Sequence, residues 1–182
     1  NQLRQAGNYG WPYSRGNRVY VDFDFAEKKP GTIYDKTKLV NKSPNNSGLT
    51  ELPPVQAPFV WYPGADSPDF PILGRGGRTA CGGPVFHFDK AYEKTGGLPE
   101  YFDGCVLFYD WQRPFIHWAR LDEAGKLKEI LPFTAAARVA QGDDDKSGRF
   151  QIRRPVDFFF GKDGSLYFLD YGETWGANAD SR

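Results

Sequence analysis

The chain has few of the residues that commonly build metal and redox centres. Its 182 residues include only two cysteines, Cys81 and Cys105, and these form no Cys-x-x-Cys pair. A zinc site with thiolate ligands and a c-type haem attachment within this segment are therefore excluded. The two thiols either pair as a disulfide or remain as two buried thiols, and the sequence leaves both alternatives open.

The chain also has no excess of charge. Its 23 Lys and Arg residues balance 23 Asp and Glu residues, which gives a formal net charge of zero and a pI near 6.9. A dedicated nucleic-acid binder would present a basic face, so this class of protein is excluded. No run of about 18 apolar residues exists, which predicts no membrane span. The first ten residues lack the apolar core of a signal peptide.

Aromatic residues, glycine and proline are by contrast abundant. Aromatics make up 16% of the chain, and 21 Gly and 14 Pro residues punctuate it. This mixture favours strands and turns over helices. Apolar or alternating runs between turn signals predict strands over residues 18–25, 84–89, 106–109 and 115–121, and residues 123–126 are typical of a hairpin tip.

A long irregular segment interrupts these strands. From Pro30 to Gly82 the sequence is dominated by Pro, Gly, Asn and Ser. Such a segment inside a compact domain is usually functional or an insertion. We expect it to be mostly irregular and to pack on one face of the domain through Trp61, Tyr62 and Phe70.

The clearest organisational signal is an internal repeat. Residues 103–110, Asp-Gly-Cys-Val-Leu-Phe-Tyr-Asp, align without gaps on residues 163–170, Asp-Gly-Ser-Leu-Tyr-Phe-Leu-Asp, at an offset of 60 residues. In both copies an Asp-Gly turn precedes an apolar strand that ends at an aspartate, and residues 155–160 supply the outgoing half of a hairpin. Repeated four-stranded units with such turns suggest a β-propeller. Two unrelated hairpins are the alternative interpretation.

The predicted fold class is therefore all-β. It is a partial β-propeller of two to three four-stranded antiparallel blades, with the irregular insertion at about residues 30–82. A closed propeller needs about four to eight blades, so residues 1–182 are predicted to be a fragment of a single propeller domain. An unfinished stack of repeats would leave apolar faces and strand edges without partners.

Several sequence islands together resemble one enzyme family. In order, they are Asn-Tyr-Gly-Trp-Pro at 8–12, Ser-Pro-Asn-Asn-Ser-Gly-Leu at 43–49 with Glu-Leu-Pro-Pro at 51–54, Gly-Pro-Val-Phe-His-Phe-Asp at 83–89, Tyr-Asp-Trp-Gln-Arg at 109–113, Arg-Pro-Val-Asp at 154–157 and Gly-Lys-Asp-Gly-Ser-Leu-Tyr at 161–167. The set resembles the glucose/sorbosone dehydrogenase family of pyrroloquinoline-quinone-dependent β-propellers, across about the C-terminal half of such a propeller. The first island is the most specific, whereas Asp-Gly-x-Leu-Tyr occurs in many propellers.

The resemblance implies a segment of a quinoprotein sugar or alcohol dehydrogenase, which transfers a hydride to calcium-bound pyrroloquinoline quinone. The family's catalytic histidine belongs to an earlier blade, so no catalytic residue is expected here and the fragment alone is expected to be inactive. The resemblance also implies a sugar or polyol substrate, a cytochrome c acceptor or fused haem domain, the remainder of the propeller as partner, and a periplasmic or extracellular location.

Three arginines match the family's cofactor contacts. A quinone with three carboxylates attracts guanidinium groups, and the resemblance places Arg113, Arg153 and Arg154 at those carboxylates. Alternation along a strand points only one of two adjacent side chains inward, and Arg154 is preferred because it is held next to Pro155, whose backbone is fixed. The alternatives are a solvated arginine at 113 and salt bridges from the pair to Asp157 or Asp170.

The turn Gly10, Trp11 and Pro12 resembles the family's calcium-binding turn, in which backbone carbonyls act as ligands. Calcium prefers six to eight oxygen ligands, and a Gly-x-Pro turn is stiff enough to aim carbonyls inward. The alternative is a structural turn with Trp11 in the core.

The remaining candidates have structural interpretations. His87 and His117 lie in strand patterns and do not match the surroundings of the family's base, so both are predicted to be structural. Arg75 and Arg78 could line an anion site, but no Gly-Lys-Ser/Thr follows them, which excludes a nucleotide P-loop. The aspartates at 143–145 lack the spacing of an EF-hand loop and are predicted to be solvated.

A second class of function stays open. A non-catalytic β-propeller module could bind carbohydrate or a partner protein within a larger polypeptide, with the irregular segment as its recognition surface. A purely structural piece of a large fused polypeptide is a third option.

Overall fold

The computed structural model describes residues 6–95, 97–113, 115–133 and 152–172. Ten strands form four antiparallel sheets among these residues, and helix is limited to the short 3-10 segments Pro71–Leu73, Lys90–Lys94 and Glu100–Phe102. The all-β prediction is confirmed. The described ranges form no closed barrel or propeller, and the chain divides into two compact units, residues 1–63 and 64–182.

The first unit contains two small β-ribbons. Strand β1 (Ser14–Arg15) pairs with β2 (Arg18–Val19), and β3 (Val21–Asp24) pairs with β4 (Lys29–Ile33). The prediction of one continuous strand over residues 18–25 is therefore wrong, because the chain forms two strands that are separated at Tyr20. The N–H of Tyr20 donates to the carbonyl of Tyr13, whereas its own carbonyl accepts from the N–H of Tyr34.

The segment between β4 and the next strand is mostly irregular, as predicted, but it is shorter than residues 30–82, because β4 ends at Ile33 and the next strand begins at Ala80. Within residues 34–70, β-pairing is limited to an isolated bridge between Val40 and Glu51. Local side-chain bonds order it instead: Asp35, Asn41 and Asn46 each accept a hydrogen bond from the backbone N–H two residues later. Such bonds offer the backbone an alternative to a sheet. Trp61, Tyr62 and Phe70 are half-buried, and their packing on a propeller face stays a prediction.

The second unit contains one four-stranded sheet and one hairpin. The sheet has the order β5 (Ala80–Val85), β6 (Val106–Asp110), β7 (Ile116–Leu121) and β8 (Leu127–Pro132), all antiparallel. The hairpin consists of β9 (Pro155–Phe160) and β10 (Leu166–Asp170). Both copies of the sequence repeat are strands, β6 and β10, as predicted.

Strand β5 corrects the strand predicted over residues 84–89. It begins at Ala80 and ends at Val85, after a break in register between Gly82 and Val85. Beyond that point the chain bonds to the turn before β6 rather than to the strand itself. The N–H of Phe86 donates to the Cys105 carbonyl, and the N–H of Phe88 donates to the Asp103 carboxylate.

The core of the second unit lies between the sheet and the hairpin. The Tyr109 ring packs on the Phe158 ring at a centroid distance of 4.8 Å, and the Tyr109 hydroxyl donates to the Val156 carbonyl at 2.6 Å. Fully burying a large apolar side chain stabilises a fold by about 1.5–3 kcal/mol. The cluster therefore fixes the hairpin against the sheet; its buried members are Phe86, Cys105, Leu107, Tyr109, Ile116, Trp118, Ile152 and Phe158.

The two cysteines do not form a disulfide. Both are free, Cys105 being buried and Cys81 half-buried, which decides between the two alternatives that the sequence left open. Burial raises the pKa of both thiols, so neither is a reactive thiolate near neutral pH.

Candidate functional site

Each copy of the repeat ends at a buried aspartate that ties two strands together. Asp110 is 0% exposed and Asp170 is 3% exposed. The Asp110 carboxylate accepts the N–H of Thr79 at 2.9 Å, and the Asp170 carboxylate accepts the N–H of Arg154 at 2.6 Å. Thr79 and Arg154 immediately precede β5 and β9. Each carboxylate therefore joins the end of one strand to the start of its neighbour.

The equivalence extends one residue beyond each aspartate. The N–H of Trp111 donates to the Thr79 carbonyl at 3.1 Å, and the N–H of Tyr171 donates to the Arg154 carbonyl at 3.0 Å. The repeat is thus a repeat of hydrogen bonding as well as of sequence, with β6 equivalent to β10 and β5 equivalent to β9.

These strand ends form one edge of the second unit, which we call the strand-end edge; it comprises Thr79, Asp110, Trp111, Gln112, Arg113, Arg153, Arg154, Asp170 and Tyr171. The Trp111 and Tyr171 rings meet edge to face with centroids 6.0 Å apart. The Arg154 guanidinium lies 5.1 Å from the centre of the Trp111 ring, within cation–π distance. The structure therefore brings all three predicted arginines, Arg113, Arg153 and Arg154, to the same edge.

Arg153 and Arg154 are held at this edge through their backbone. Their N–H groups donate to the two oxygens of Asp170 at 2.9 and 2.6 Å. Both residues are half-buried. The carboxylate thus fixes the position of two adjacent cationic residues.

Arg113 is not the solvated surface arginine that the sequence left open as an alternative. Its side chain is buried and donates to four backbone carbonyls: from Nε to Gly77 at 2.8 Å, from Nη1 to Leu73 at 3.0 Å and Gly74 at 2.7 Å, and from Nη2 to Gly76 at 2.8 Å. A guanidinium has five N–H donors. The side chain therefore organises this glycine-rich loop, and its contact with a cofactor stays a prediction.

The glycine-rich loop can present its carbonyls to one guanidinium because of its backbone conformation. Gly74 and Gly76 have φ angles of 60° and 123°, values that favour glycine. Arg75, within the loop, lies 3.6 Å from the exposed Asp66 carboxylate. In the anion site considered for Arg75 and Arg78, Arg75 therefore has the Asp66 carboxylate as a neighbour.

The predicted calcium turn lies in the first unit. The Gly10 carbonyl accepts the N–H groups of Tyr13 and Ser14, both at 2.7 Å, so both of its lone pairs have partners. Trp11 is 76% exposed, which makes the alternative of a core tryptophan wrong. Ligation of calcium by Gly10 would require one of these hydrogen bonds to be replaced, and ligation by Trp11 and Pro12 stays a prediction.

The side chains described above can be compared with the two groups that the resemblance implies, pyrroloquinoline quinone and calcium. Two adjacent arginines beside an aromatic ring suit the carboxylates of a planar quinone. Within the described ranges, no three side chains of His, Cys, Asp or Glu gather to hold a metal ion. This finding concerns side chains only, so calcium ligation by the backbone carbonyls of residues 10–12 stays a prediction, as does the binding of the quinone by the arginines. The aspartates at 143–145 lie outside the described residues.

The two histidines have different surroundings. His87 is exposed, whereas His117 is buried, with its ring stacked on Phe115 at 5.0 Å and 5.8 Å from the Phe108 ring. Burial lowers the pKa of His117 to about 4, although a backbone interaction at Ile72 acts in the opposite direction. His117 is therefore a neutral core residue at pH 7, in agreement with its predicted structural role.

We expect the second unit to lose stability as the pH falls from about 6.5 to about 4. The pKa of His117 in the folded chain, about 4, lies below its ordinary value of 6.5, so the unfolded chain takes up the proton first. The loss should reach about 2–3 kcal/mol, since each pKa unit corresponds to about 1.4 kcal/mol. Urea unfolding at pH 7 and pH 4.5 measures it. A His117→Phe variant should show a shallower dependence; an unchanged dependence would assign the effect to other groups.

Comparisons of the chain with family models, with curated proteins and with solved structures found no significant match. The resemblance to glucose/sorbosone dehydrogenases therefore rests on the sequence islands alone. Separately, none of the helices among the described residues has the length and apolar character needed to cross a membrane.

Proposed function

We propose that this chain is part of a quinoprotein sugar or alcohol dehydrogenase of the β-propeller type, and that the strand-end edge contributes cationic contacts to pyrroloquinoline quinone. The observation that carries the proposal is the placement of Arg153 and Arg154 at one edge, with the Arg154 guanidinium 5.1 Å from the Trp111 ring. The four-stranded sheet and the equivalent hairpin are the proposed blades of that propeller.

The chemistry of the edge supports this choice of ligand. Guanidinium groups bind carboxylates in a fixed, bidentate geometry, and the flat faces of guanidinium and indole suit a planar ring system. Because Asp170 fixes the backbone of both arginines, binding costs the freedom of their side chains but not that of their backbone. Arg153 and Arg154 would hold the carboxylates, whereas Arg113 would maintain the loop beside them. The quinone supplies the hydride-accepting chemistry when bound.

Titration with pyrroloquinoline quinone in calcium-containing buffer tests the proposal, with the longest available form of the polypeptide and Trp fluorescence as the signal. A charge-assisted hydrogen bond contributes about 1.5–3 kcal/mol, so Arg154→Ala should raise the dissociation constant by about ten- to a hundredfold. Arg120→Ala is the matched control, because Arg120 also lies over an aromatic ring, Tyr101 at 4.2 Å, but on β7. It should bind like the wild type.

Two outcomes would contradict different parts of the proposal. Absence of saturable binding by the wild type would reject the quinone site. Equal weakening by Arg154→Ala and Arg120→Ala would reject the specific role of Arg154, because it would indicate a general effect of lost positive charge.

A second candidate function is a non-catalytic module that binds carbohydrate. The observation that favours it is Trp11, which is 76% exposed and lies 6.3 Å from the Tyr20 ring. Exposed aromatic rings offer an apolar face to a ligand. Saturable binding of a sugar without binding of the quinone, lost in Trp11→Ala, would support this function over the first.

A further inference from the structure

His117 is a buried imidazole whose ring nitrogens are not hydrogen-bonded. The residue is 8% exposed, and neither Nδ1 nor Nε2 has a hydrogen-bond partner within the described part of the chain. Buried polar side chains are paired in the large majority of cases, and a buried donor without a partner destabilises the folded state. The unpaired ring therefore calls for an explanation beyond packing.

The ring lies between the sheet and a segment from an earlier part of the chain. Phe115 stacks on it at 5.0 Å, and Phe108 of β6 lies 5.8 Å away. From outside the sheet, the backbone of Ile72 in the 3-10 segment Pro71–Leu73 reaches the ring. Leu73, the next residue, is 2% exposed, so this segment packs against the protein and covers the histidine.

The same segment is held by Arg113. The guanidinium donates to the carbonyls of Leu73 and Gly74, the two residues that follow Ile72. His117 and Arg113 thus interact with three consecutive residues at the start of the glycine-rich loop. A change in the charge of the ring therefore acts on a segment that a cation already holds.

The charged groups around His117 provide no counterion for a protonated ring. Asp110, at the end of β6, accepts three backbone N–H groups, and Arg113 is itself a cation. On β8, Pro132 lies opposite His117, and alternation places the exposed Lys128 on the same face. Residues 70–73 are uncharged. Burial is the larger cause of the shift in the pKa of His117, and the Ile72 backbone opposes it.

We propose that His117 is a pH-sensitive switch: when its ring takes up a proton, the segment Pro71–Leu73 and the glycine-rich loop move away and expose the ring to water, while the four-stranded sheet stays folded. Protonation gives the ring a second N–H donor and a positive charge, and water supplies the acceptors that the closed site lacks. Opening also removes two carbonyls from Arg113. This inference goes beyond the proposed cofactor site and does not depend on it.

The direction of the switch follows from linkage. The pKa of His117 is about 4 when the ring is covered, whereas an exposed histidine titrates near 6.5. The open form therefore takes up the proton first, and acid favours it. Between pH 7.5 and pH 5.5 the population of the open form should rise by about tenfold. Asp and Glu side chains, with ordinary pKa values near 4, contribute little in this range.

Amide hydrogen exchange of the full chain labelled with ¹⁵N tests the proposal, with each rate divided by the intrinsic rate at that pH. The reporters are the N–H groups of Leu73, Gly74 and Gly76, which donate to the carbonyls of Phe70, Pro71 and Gly64. Their protection should fall by about tenfold from pH 7.5 to pH 5.5. The amides of Leu107 and Trp118, at the centre of the sheet, should stay at least about tenfold better protected at both pH values.

Two variants assign the effect to one histidine. His117→Phe keeps an aromatic ring between Phe108 and Phe115 but cannot take up a proton, so the protection of the loop amides should not depend on pH. His87→Gln is the matched control. His87 is exposed and titrates alike in both forms, so this variant should keep the full tenfold change, about that of the wild type.

Three results would overturn the proposal, and two of them need no variant. A change of less than about twofold in the wild type would show that protonation is not coupled to the loop. Equal protection of the loop and sheet amides at both pH values would show that the opening is global unfolding. A pH dependence in His117→Phe equal to that of the wild type would assign the effect to another group.

Discussion

An Asp110→Ala variant is expected to lose about 4 kcal/mol of unfolding free energy. The Asp110 carboxylate is fully buried and accepts three backbone N–H groups, those of Thr79 at 2.9 Å, Gln112 at 2.8 Å and Arg113 at 2.7 Å. Each buried donor left without a partner costs about 1–3 kcal/mol. The total is smaller than the full sum, because water can reach some of these groups at the edge. Urea unfolding followed by Trp fluorescence measures the loss.

Two variants serve as controls for this measurement. Asp110→Asn keeps the size of the side chain and one acceptor oxygen, so it should lose about half as much. Asp163→Ala removes an aspartate that also accepts a backbone N–H, from Ser165 at 3.1 Å, but that lies in an exposed turn; it should lose less than about 1 kcal/mol. A loss below about 1 kcal/mol in Asp110→Ala would contradict the role assigned to the buried carboxylate.

The sequence identified this aspartate but could not identify its partners. The repeat marks Asp110 and Asp170 because both copies end there. Their partners, Thr79 and Arg154, are 31 and 16 residues away, because the connection between β5 and β6 spans residues 86–105 and the one between β9 and β10 spans residues 161–165. The two aspartates are separated by the 60-residue offset of the repeat, whereas Thr79 and Arg154, whose N–H groups donate to them, are not.

The alternation of apolar and polar residues predicted which segments form strands. It did not predict where the strands end, because the ends depend on contacts with other segments. Strand β5 ends at Val85 because Phe86 bonds to Cys105, and the strand predicted over residues 18–25 divides at Tyr20 because two different partners bind its N–H and carbonyl. The partners lie 19 residues from Phe86 and 7 and 14 residues from Tyr20, which is beyond what an alternation of neighbouring side chains records. Local pattern therefore predicts the element and tertiary pairing decides its bounds.

The candidate site was predictable in part. The resemblance selected Arg113, Arg153 and Arg154, and all three lie at the strand-end edge. It did not select Trp111 and Tyr171, although each follows a repeat aspartate directly, which is the signal that could have found them. The role of Arg113 could not be read from the sequence, because its four acceptors lie 36–40 residues earlier, in the glycine-rich loop, and no local pattern links the two segments.

Replacing Arg113 by Ala is expected to lose about 3 kcal/mol of unfolding free energy and to loosen the glycine-rich loop. Four carbonyls, those of Leu73, Gly74, Gly76 and Gly77, lose a charged donor. Hydrogen bonds from charged groups contribute about 1.5–3 kcal/mol each, and rehydration of the loop offsets part of the sum. Because the loop contains Arg75, limited trypsin digestion reports its opening, and cleavage there should be faster in the variant than in the wild type.

Arg113→Lys distinguishes the geometry of the guanidinium from its charge. An ammonium group has three donors on one atom and cannot match the planar fork that spans Nε, Nη1 and Nη2. We therefore expect Lys at this position to recover less than half of the stability lost in Arg113→Ala, with trypsin cleavage at Arg75 still accelerated. Full recovery by Lys would assign the effect to charge alone. Unchanged cleavage in Arg113→Ala would mean that the loop is held without the arginine, through the hydrogen bond from the Thr79 N–H to Asp110.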